Sequence, residues 1–510
     1  MERFVRLTVL PFILVALVAI VWRQTLNQTL QGEGYNYFDY RYNYFSGNIL
    51  SNIGYKNLNR QDNFGEILAS ATIPVFRDNF LLYQISQLTI FGLLIITIYY
   101  VVFNLTKNEF LAFTASLLSL SNFNGNYEML AEGEYSRFMG RVPSVIPIII
   151  AWYLLYKYYK TDSLNRLIAS FVFVAIAVFM CHYAVLLLPL IIFSAIYFPH
   201  LAKKRFSVIK TFFIITIFLG ISYLLIFQDH EATKNGLITF IINEPFLLEK
   251  VIYQMVTVTW PYLVILKLGK HFELAMPFLP ILRILAIPTM VFYLVGGWLV
   301  FKKSKKLFPL YIGLFITIIA DIFLYLFIDG WRINPLRTLW PGRQFFVTSI
   351  YVSIITALIL QSFFNTKNIP IKIFLLSFLA TMFIYNTMLI TKYNESNRYL
   401  FERDKRFIAY MHSISGMFND NSVLITGRYL RSASMLVARL YAPPKMQFPV
   451  SYEQFQSLNP ERKNVIAIDY VHGKDNDGRF TSQGGYILDL TQEYKSGIVD
   501  YKDVMGAYER

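Results

Sequence analysis

Long uncharged runs constrain the fold of this chain more than any other feature of its sequence. A helix needs roughly 17–25 mostly uncharged residues to cross about 30 Å of hydrocarbon. We read eleven runs of this kind along the 510 residues, and they predict a polytopic α-helical membrane protein. The predicted passes are Phe4–Trp22, Leu81–Phe103, Phe110–Phe123, Val142–Tyr156, Leu167–Cys181, Tyr183–Phe198, Thr211–Phe227, Leu279–Phe301, Phe308–Ile328, Phe345–Phe364 and Ile373–Ile390.

The composition agrees with burial in lipid. Only 15% of the residues are charged and 55% are hydrophobic, whereas soluble domains carry about 25% charged residues. Apolar content this high excludes disorder over most of the chain. The single cysteine, Cys181, excludes a disulfide framework and cysteine-rich zinc sites.

Basic residues predict the orientation in the membrane. With a cytoplasmic N-terminus, the short cytoplasmic loops are rich in Lys and Arg, as at Lys203–Arg205 and Lys302–Lys306, and almost free of acidic residues. An odd number of passes places the C-terminal segment outside the cell membrane. No small-x-small cleavage site follows Trp22, so the first run is expected to remain as an anchor. The net charge of +15 is explained by these loops and does not indicate nucleic-acid binding.

Two apolar stretches permit more than one interpretation. Leu167–Pro199 is interrupted only by His182, and basic residues at both ends favour a tight hairpin of two short helices. Counting Val251–Leu266 as a pass would put Lys302–Lys306 outside. It is therefore interpreted as a re-entrant or interfacial segment.

The composition changes after Ile390 to that of a soluble protein. Tyr399–Phe418 and Leu430–Tyr441 have helical spacing, and Ser422–Thr426 and Val465–Asp469 read as strands. We therefore predict a membrane domain over residues 1–391 and a small extracytoplasmic α/β domain over residues 392–510. External loops are expected at about 23–79, 124–141 and 228–277.

The first external loop contains a carboxylate among aromatic residues, in the segment Phe38-Asp39-x-x-x-Asn43-Tyr44. An aromatic belt at the lipid headgroups is one explanation. A partly buried carboxylate can also serve as a base or a metal ligand. In the second loop, Glu132-Gly133-Glu134 places two carboxylates one residue apart. Such a pair can share a hard cation, Mg²⁺ or Mn²⁺, or form a solvated acidic turn.

The pattern Phe38-Asp39-x-x-x-Asn43-Tyr44 resembles the F-D-x-x-x-N-Y signature of oligosaccharyltransferase catalytic subunits. The architecture is similar to the wider GT-C class of lipid-phosphate-sugar-dependent glycosyltransferases. The resemblance implies catalysis by Asp39, substrate binding by Asn43 and Tyr44, and a metal site of Asp39, Glu132 and Glu134. Ile242-Asn243-Glu244-Pro245 lies where those enzymes carry a glutamate that links acceptor binding to catalysis. The C-terminal segment lacks their W-W-D signature, so recognition of Asn-x-Ser/Thr peptides is not implied.

Positive charge precedes the tenth predicted pass. Arg343 can contact lipid headgroups from the outer leaflet or bind a lipid-linked phosphate in a bidentate manner. The resemblance implies the second role, and Arg332 and Arg337 add positive charge to the same loop. His182 can be a structural residue, a contact to the donor phosphate or a base. Asp321 is an intramembrane acid, with Arg283 as a candidate ion-pair partner.

These features predict transfer of a sugar or oligosaccharide from a polyprenyl phosphate or pyrophosphate donor to a glycan, lipid or protein acceptor on the outer face. Arginines would stabilise the phosphate leaving group, and Asp39 would act as general base. A transporter or flippase is one alternative, although no internal repeat is visible. A polysaccharide polymerase or ligase is another, and a structural membrane protein is a third.

Overall fold

The computed structural model is a bundle of long apolar helices. It describes residues 8–27, 72, 75–76, 79–122, 130, 135–180, 247–259, 279–329, 346–364, 369–426, 446–447, 452–458, 464–469 and 486–489. The helices are α1 (Leu10–Trp22), α2 (Phe80–Thr106), α3 (Glu109–Ser121), α4 (Tyr135–Thr161), α5 (Leu164–Met180), α6 (Leu247–Thr259), α7 (Leu279–Lys303), α8 (Phe308–Asp329), α9 (Phe346–Phe364), α10 (Ile369–Ile414) and α11 (Tyr452–Ser457). Short 3₁₀ helices lie at Arg23–Asn27, Lys305–Leu307 and Ser415–Met417.

Five helical segments are long and apolar enough to cross a membrane: Phe80–Thr106, Arg141–Thr161, Arg283–Lys303, Lys305–Phe323 and Phe346–Phe363. The chain is therefore a helical membrane protein. Helices cover nine of the eleven predicted runs. The other two, Tyr183–Phe198 and Thr211–Phe227, lie outside the described residues. The number of passes stays a prediction.

Two helix boundaries differ from the sequence prediction. Residues 124–141 were expected to form a loop, but α4 begins at Tyr135, and Arg141 is buried in its second turn. The last predicted pass and the predicted helix Tyr399–Phe418 join in one helix, Ile369–Ile414. This helix is about 69 Å long at 1.5 Å per residue, and it runs unbroken through residue 391.

Short turns connect antiparallel neighbours. Lys107 ends α2 with φ at 57°, and its N–H donates to the Phe103 carbonyl at 2.7 Å. Asn108 then caps α3, because its side chain accepts a hydrogen bond from the Leu111 N–H at 3.0 Å. Asp162, also at φ 57°, makes the corresponding turn between α4 and α5.

Contacts between helices identify two ends of the bundle. Phe301 meets Phe308 at the turn between α7 and α8. Thr348, at the start of α9, contacts Asp321 far from that turn, and Ile359, later in α9, contacts Gly296 nearer to it. Helix α9 therefore runs in the same direction as α7. Phe110 and Leu118, near the two ends of α3, both pack on a small cluster that includes Leu360 near the end of α9. The α7–α8 turn and the end of α9 therefore share one end, and the positive-inside rule assigns the α2–α3 turn, which carries Lys107, to the same end. We call it the basic end, because it carries Lys107, Lys302, Lys303, Lys305, Lys306 and Lys372.

Helix α6 runs parallel to the first half of α7. Its first turn meets the start of α7, where Arg283 contacts Glu249 and Tyr253. Its last residue, Thr259, contacts Tyr293 through hydroxyl oxygens 2.8 Å apart. Ten residues separate Glu249 from Thr259 and Arg283 from Tyr293, or about 15 Å on each helix. Helix α6 therefore runs alongside the first half of α7, and Thr259 lies beside its middle.

The C-terminal part contains a three-stranded sheet of β1 (Ser422–Thr426), β2 (Asn464–Asp469) and β3 (Tyr486–Asp489). Strand β1 pairs with β2 in parallel, with Val423 opposite Val465, and β2 pairs with β3 antiparallel. The strands predicted at Ser422–Thr426 and Val465–Asp469 are confirmed. Helix Leu430–Tyr441 falls outside the described residues, and a separate α/β domain stays a prediction.

Candidate functional site

All ten predicted site residues lie outside the residues that the structure describes. They are Asp39, Asn43, Tyr44, Glu132, Glu134, His182, Glu244, Arg332, Arg337 and Arg343. Their roles stay predictions, as does the Mg²⁺ or Mn²⁺ site. Within the described ranges, no group of three His, Cys, Asp or Glu side chains could hold a metal ion.

The described helices define where the predicted loops are attached. The indole N–H of Trp22, the last residue of α1, donates to the Leu120 carbonyl near the end of α3 at 3.0 Å. The loop containing Asp39 follows α1, and the loop containing Glu132 and Glu134 follows α3. With the α2–α3 turn assigned to the basic end, the end of α3 and the start of α9 lie at the opposite end of the bundle. These two helix ends and the end of α1 lead to the loops that carry Glu132 and Glu134, Arg343, and Asp39.

Arg343 is tethered to this same end. It precedes Phe346, the first residue of α9, by three positions. Glu134 directly precedes Tyr135, the first residue of α4. Covalent geometry therefore anchors an arginine and an acid to helix ends of the bundle.

Asp321 is a buried acid near the start of α9. Its side chain is inaccessible to solvent, and its Oδ2 accepts a hydrogen bond from the Thr348 hydroxyl at 3.2 Å. Among the described residues, its Oδ1 has no hydrogen-bond partner. The prediction that Arg283 pairs with Asp321 is wrong. Arg283 lies at the exposed start of α7 and pairs with Glu249 instead.

Glu249, Tyr253 and Arg283 form a polar cluster between α6 and α7. The Tyr253 hydroxyl donates to the Glu249 carboxylate and accepts from the Arg283 Nε–H at 3.1 Å. The Arg283 Nη2 also lies 3.4 Å from Glu249 Oε1. Burial raises the pKa of Tyr253, and its hydrogen bond to the Glu249 carboxylate raises it further. The cluster thus holds Tyr253 in its protonated form and joins α6 to α7.

Two glutamines in α2 were not among the predicted site residues. Gln84 and Gln87 are inaccessible to solvent. None of their four amide nitrogen and oxygen atoms has a hydrogen-bond partner in the part of the chain that the structure describes. The visible signal is a pair of polar amides one helical turn apart within the apolar run Leu81–Phe103.

Comparisons with known proteins add no family name. No family model matches the chain, and no curated protein is similar to it.

Proposed function

We propose that this protein is a membrane glycosyltransferase that uses a polyprenyl phosphate or pyrophosphate sugar donor on the extracytoplasmic face. The observation that supports this most is the common attachment of three loops. The helix ends that lead to Asp39 and to Glu132 and Glu134 meet where Trp22 contacts Leu120. The positive-inside rule assigns them to the exterior, together with the start of α9, which follows Arg343.

The proposal also includes the finer topology. Eleven passes would leave the N-terminus in the cytoplasm and the C-terminal segment outside the cell membrane as an α/β domain. Basic side chains at the proposed cytoplasmic end lie over aromatic rings, which is typical of residues at a membrane surface. Lys107 lies 5.5 Å from the Phe103 ring centroid, and Lys302 lies 4.8 Å from that of Trp298.

In the proposed reaction, the anomeric carbon of the donor forms a bond to an acceptor oxygen or nitrogen. Asp39 takes the proton of that nucleophile, and the bond from the sugar to the lipid phosphate breaks. Arg343, with Arg332 and Arg337, stabilises the anionic lipid phosphate that leaves. Glu132 and Glu134 would hold a divalent cation beside Asp39.

The test uses the purified full-length protein in liposomes that contain polyprenyl-phosphate-linked sugars. We expect release of polyprenyl phosphate in step with glycosylation of an added acceptor. Asp39→Asn should abolish both while leaving membrane insertion unchanged. Asp62→Asn, a carboxylate in the same loop, is the matched control and should keep activity. Full activity in Asp39→Asn would remove the catalytic assignment.

A second candidate function is transport or flipping of a lipid-linked sugar. The specific observation in its favour is the hydroxyl contact between Thr259 of α6 and Tyr293 at the middle of α7, since transporter sites lie near the bilayer midplane. The same liposomes separate the two functions. A transporter moves a fluorescent donor between leaflets with no release of lipid phosphate, whereas a transferase releases it only when an acceptor is present.

A further inference from the structure

We propose that Gln84 and Gln87 bind the hydroxyl groups of the sugar that the donor carries. This inference rests on the proposed function for the identity of the ligand. The observation that supports it does not depend on that function. The two neighbouring amides are fully buried, and their four polar atoms have no hydrogen-bond partner among the described residues. Buried amides are normally hydrogen-bonded, because leaving them unpaired destabilises the fold.

The position of the pair fits a substrate site. Gln84, Gln87 and Phe91 are spaced i, i+3 and i+7, so they share one face of α2. Phe91 meets the edge of Trp22, with ring centroids 6.3 Å apart, and this face is therefore directed toward the end of α1. The 3₁₀ helix Arg23–Asn27 also packs on α2. It leads into the loop that carries Asp39.

The nearby ends of α1 and α3 are the second reason to infer a substrate site at Gln84 and Gln87. Trp22, which is beside Phe91, also donates to the Leu120 carbonyl. The ends of α1 and α3 therefore meet next to the face that carries both glutamines. The two acidic loops start at these helix ends. Gln84 and Gln87 therefore lie beside the points from which the loops of the proposed catalytic site begin.

The chemistry of an amide narrows the ligand class. Each side chain offers an NH₂ donor and a carbonyl acceptor. A phosphate could pair only with the donors, and a metal cation only with the carbonyl oxygens, so either would leave half of the atoms unsatisfied. A hydroxyl group both donates and accepts. Adjacent sugar hydroxyls can therefore satisfy both amides together.

Binding is measured with the full-length protein in nanodiscs. The probes are short-chain polyprenyl phosphates that carry glucose, mannose or N-acetylglucosamine, and the bare polyprenyl phosphate. Gln84→Met and Gln87→Met keep the side-chain length and remove the amide. We expect each to weaken binding of the preferred sugar-bearing probe about threefold to tenfold, the usual worth of a hydrogen bond. Binding of the bare lipid phosphate should not change.

Gln361→Met is the matched control. Gln361 is also a buried glutamine, but it lies near the end of α9 at the basic end of the bundle. Its substitution should leave the affinities for all four probes unchanged. Without ligand, the thermal midpoint of Gln84→Met and Gln87→Met should equal or exceed that of the wild type, because the change removes unpaired buried amides.

The outcomes separate this inference from the proposed function. If wild-type protein transfers sugar and both variants bind every probe as it does, the glutamine assignment is overturned and the glycosyltransferase proposal stands. Lower thermal midpoints with unchanged affinities would identify the amides as part of a structural water network, which also overturns it. If wild-type protein binds none of the sugar-bearing probes, both proposals fail. Sugar-selective binding without transfer supports the glutamine site and contradicts the transferase.

Discussion

Helices α7 and α9 are both apolar enough to cross a membrane, but they occupy different environments. In the most apolar window of α9, 89% of the residues are buried inside the protein, against 28% for α7. Helix α7 exposes large apolar side chains along its length, including Ile284, Ile287, Leu294 and Trp298. Helix α9 is thus a central helix of the bundle, and α7 faces the lipid on one side.

The deep packing of α9 is accompanied by buried serine and threonine side chains. Helix α9 buries Thr348, Ser349, Ser353 and Ser362. Ser349 and Ser353 donate to backbone carbonyls of their own helix, at 2.7 and 2.8 Å. Small hydroxyl residues allow close helix packing and satisfy their own polar atoms, which suits a helix without lipid contact. Hydropathy therefore identifies a membrane helix, whereas its serine and threonine content indicates how deeply it is packed.

The largest expected effect tests this contrast directly. Ile355, in α9, is inaccessible to solvent, and Leu294, in α7, is 64% exposed. Ile355→Ala leaves a cavity and should destabilise the protein by about 2–5 kcal/mol. Leu294→Ala removes mainly contacts with lipid and should cost less than about 1 kcal/mol. Reversible unfolding in mixed micelles measures both. Equal losses would contradict the assignment of α9 as the central helix.

Much of the helical architecture could be predicted, because crossing a bilayer demands long apolar runs. For α2, α7, α8 and α9, the predicted runs begin and end within three residues of the observed helix ends. The strands near Val423 and Val465 followed from their β-branched residues. The unbroken helix Ile369–Ile414 was not foreseen, because polarity changes near Ile390 while helical geometry continues.

Pairing between helices was harder to predict than their existence. A position in an apolar run does not reveal which side of the helix faces a neighbour, or how exposed its end is. Arg283 was matched to Asp321 because both are charged, yet its side chain is 64% exposed while Asp321 is fully buried. Pairing them would require desolvating the guanidinium. The amphipathic helix α6 supplies Glu249 at the exposed start of α7, where an ion pair needs little desolvation.

The lipid-facing helix α7 also has a side that packs against α8. A Cβ on Gly297 would lie 2.8 Å from the Tyr311 ring. That ring is held by a hydrogen bond from its hydroxyl to the Tyr293 carbonyl at 2.5 Å. Gly297→Ala should therefore destabilise by about 1–3 kcal/mol through overpacking.

Gly92 in α2 is the matched control, since no atom lies within 4 Å of its added Cβ. Gly92→Ala should be neutral or stabilise by up to about 1 kcal/mol, because alanine favours the helix. The same unfolding assay measures both variants. A loss in Gly92→Ala as large as that in Gly297→Ala would show that glycine itself, and not the Tyr311 contact, decides stability.

A smaller effect is expected at the contact between α8 and α9. Thr348→Val keeps the shape of the side chain and removes the hydroxyl that donates to Asp321. The carboxyl group then loses its hydrogen bond, and we expect a loss of about 1 kcal/mol. In Asp321→Leu, the same Thr348 substitution should have little further effect. A double-mutant cycle measures this coupling, and strict additivity would exclude the Asp321–Thr348 bond.

The smallest effect concerns the exposed start of α7, where Arg283 and Glu249 face Tyr253. The pKa of Tyr253 is raised above its ordinary value of 10 in the folded protein, first by burial and then by its bond to Glu249. Above pH 10 the unfolded chain therefore binds fewer protons at this site than the folded protein does. The contribution of Tyr253 to stability is complete below pH 10 and is lost as the pH rises through the higher folded value.

Tyr253→Phe isolates this contribution, because other tyrosines and lysines titrate in both proteins. We expect the free energy of unfolding of wild-type protein to fall more steeply between pH 10 and 12 than that of Tyr253→Phe. Tyr293→Phe is a poor control, since it contacts Thr259 at the other end of α6. Tyr385→Phe is a suitable one, because that side chain is exposed on α10. Parallel pH profiles for wild type and Tyr253→Phe would mean that the start of α6 is not held against α7 by this cluster.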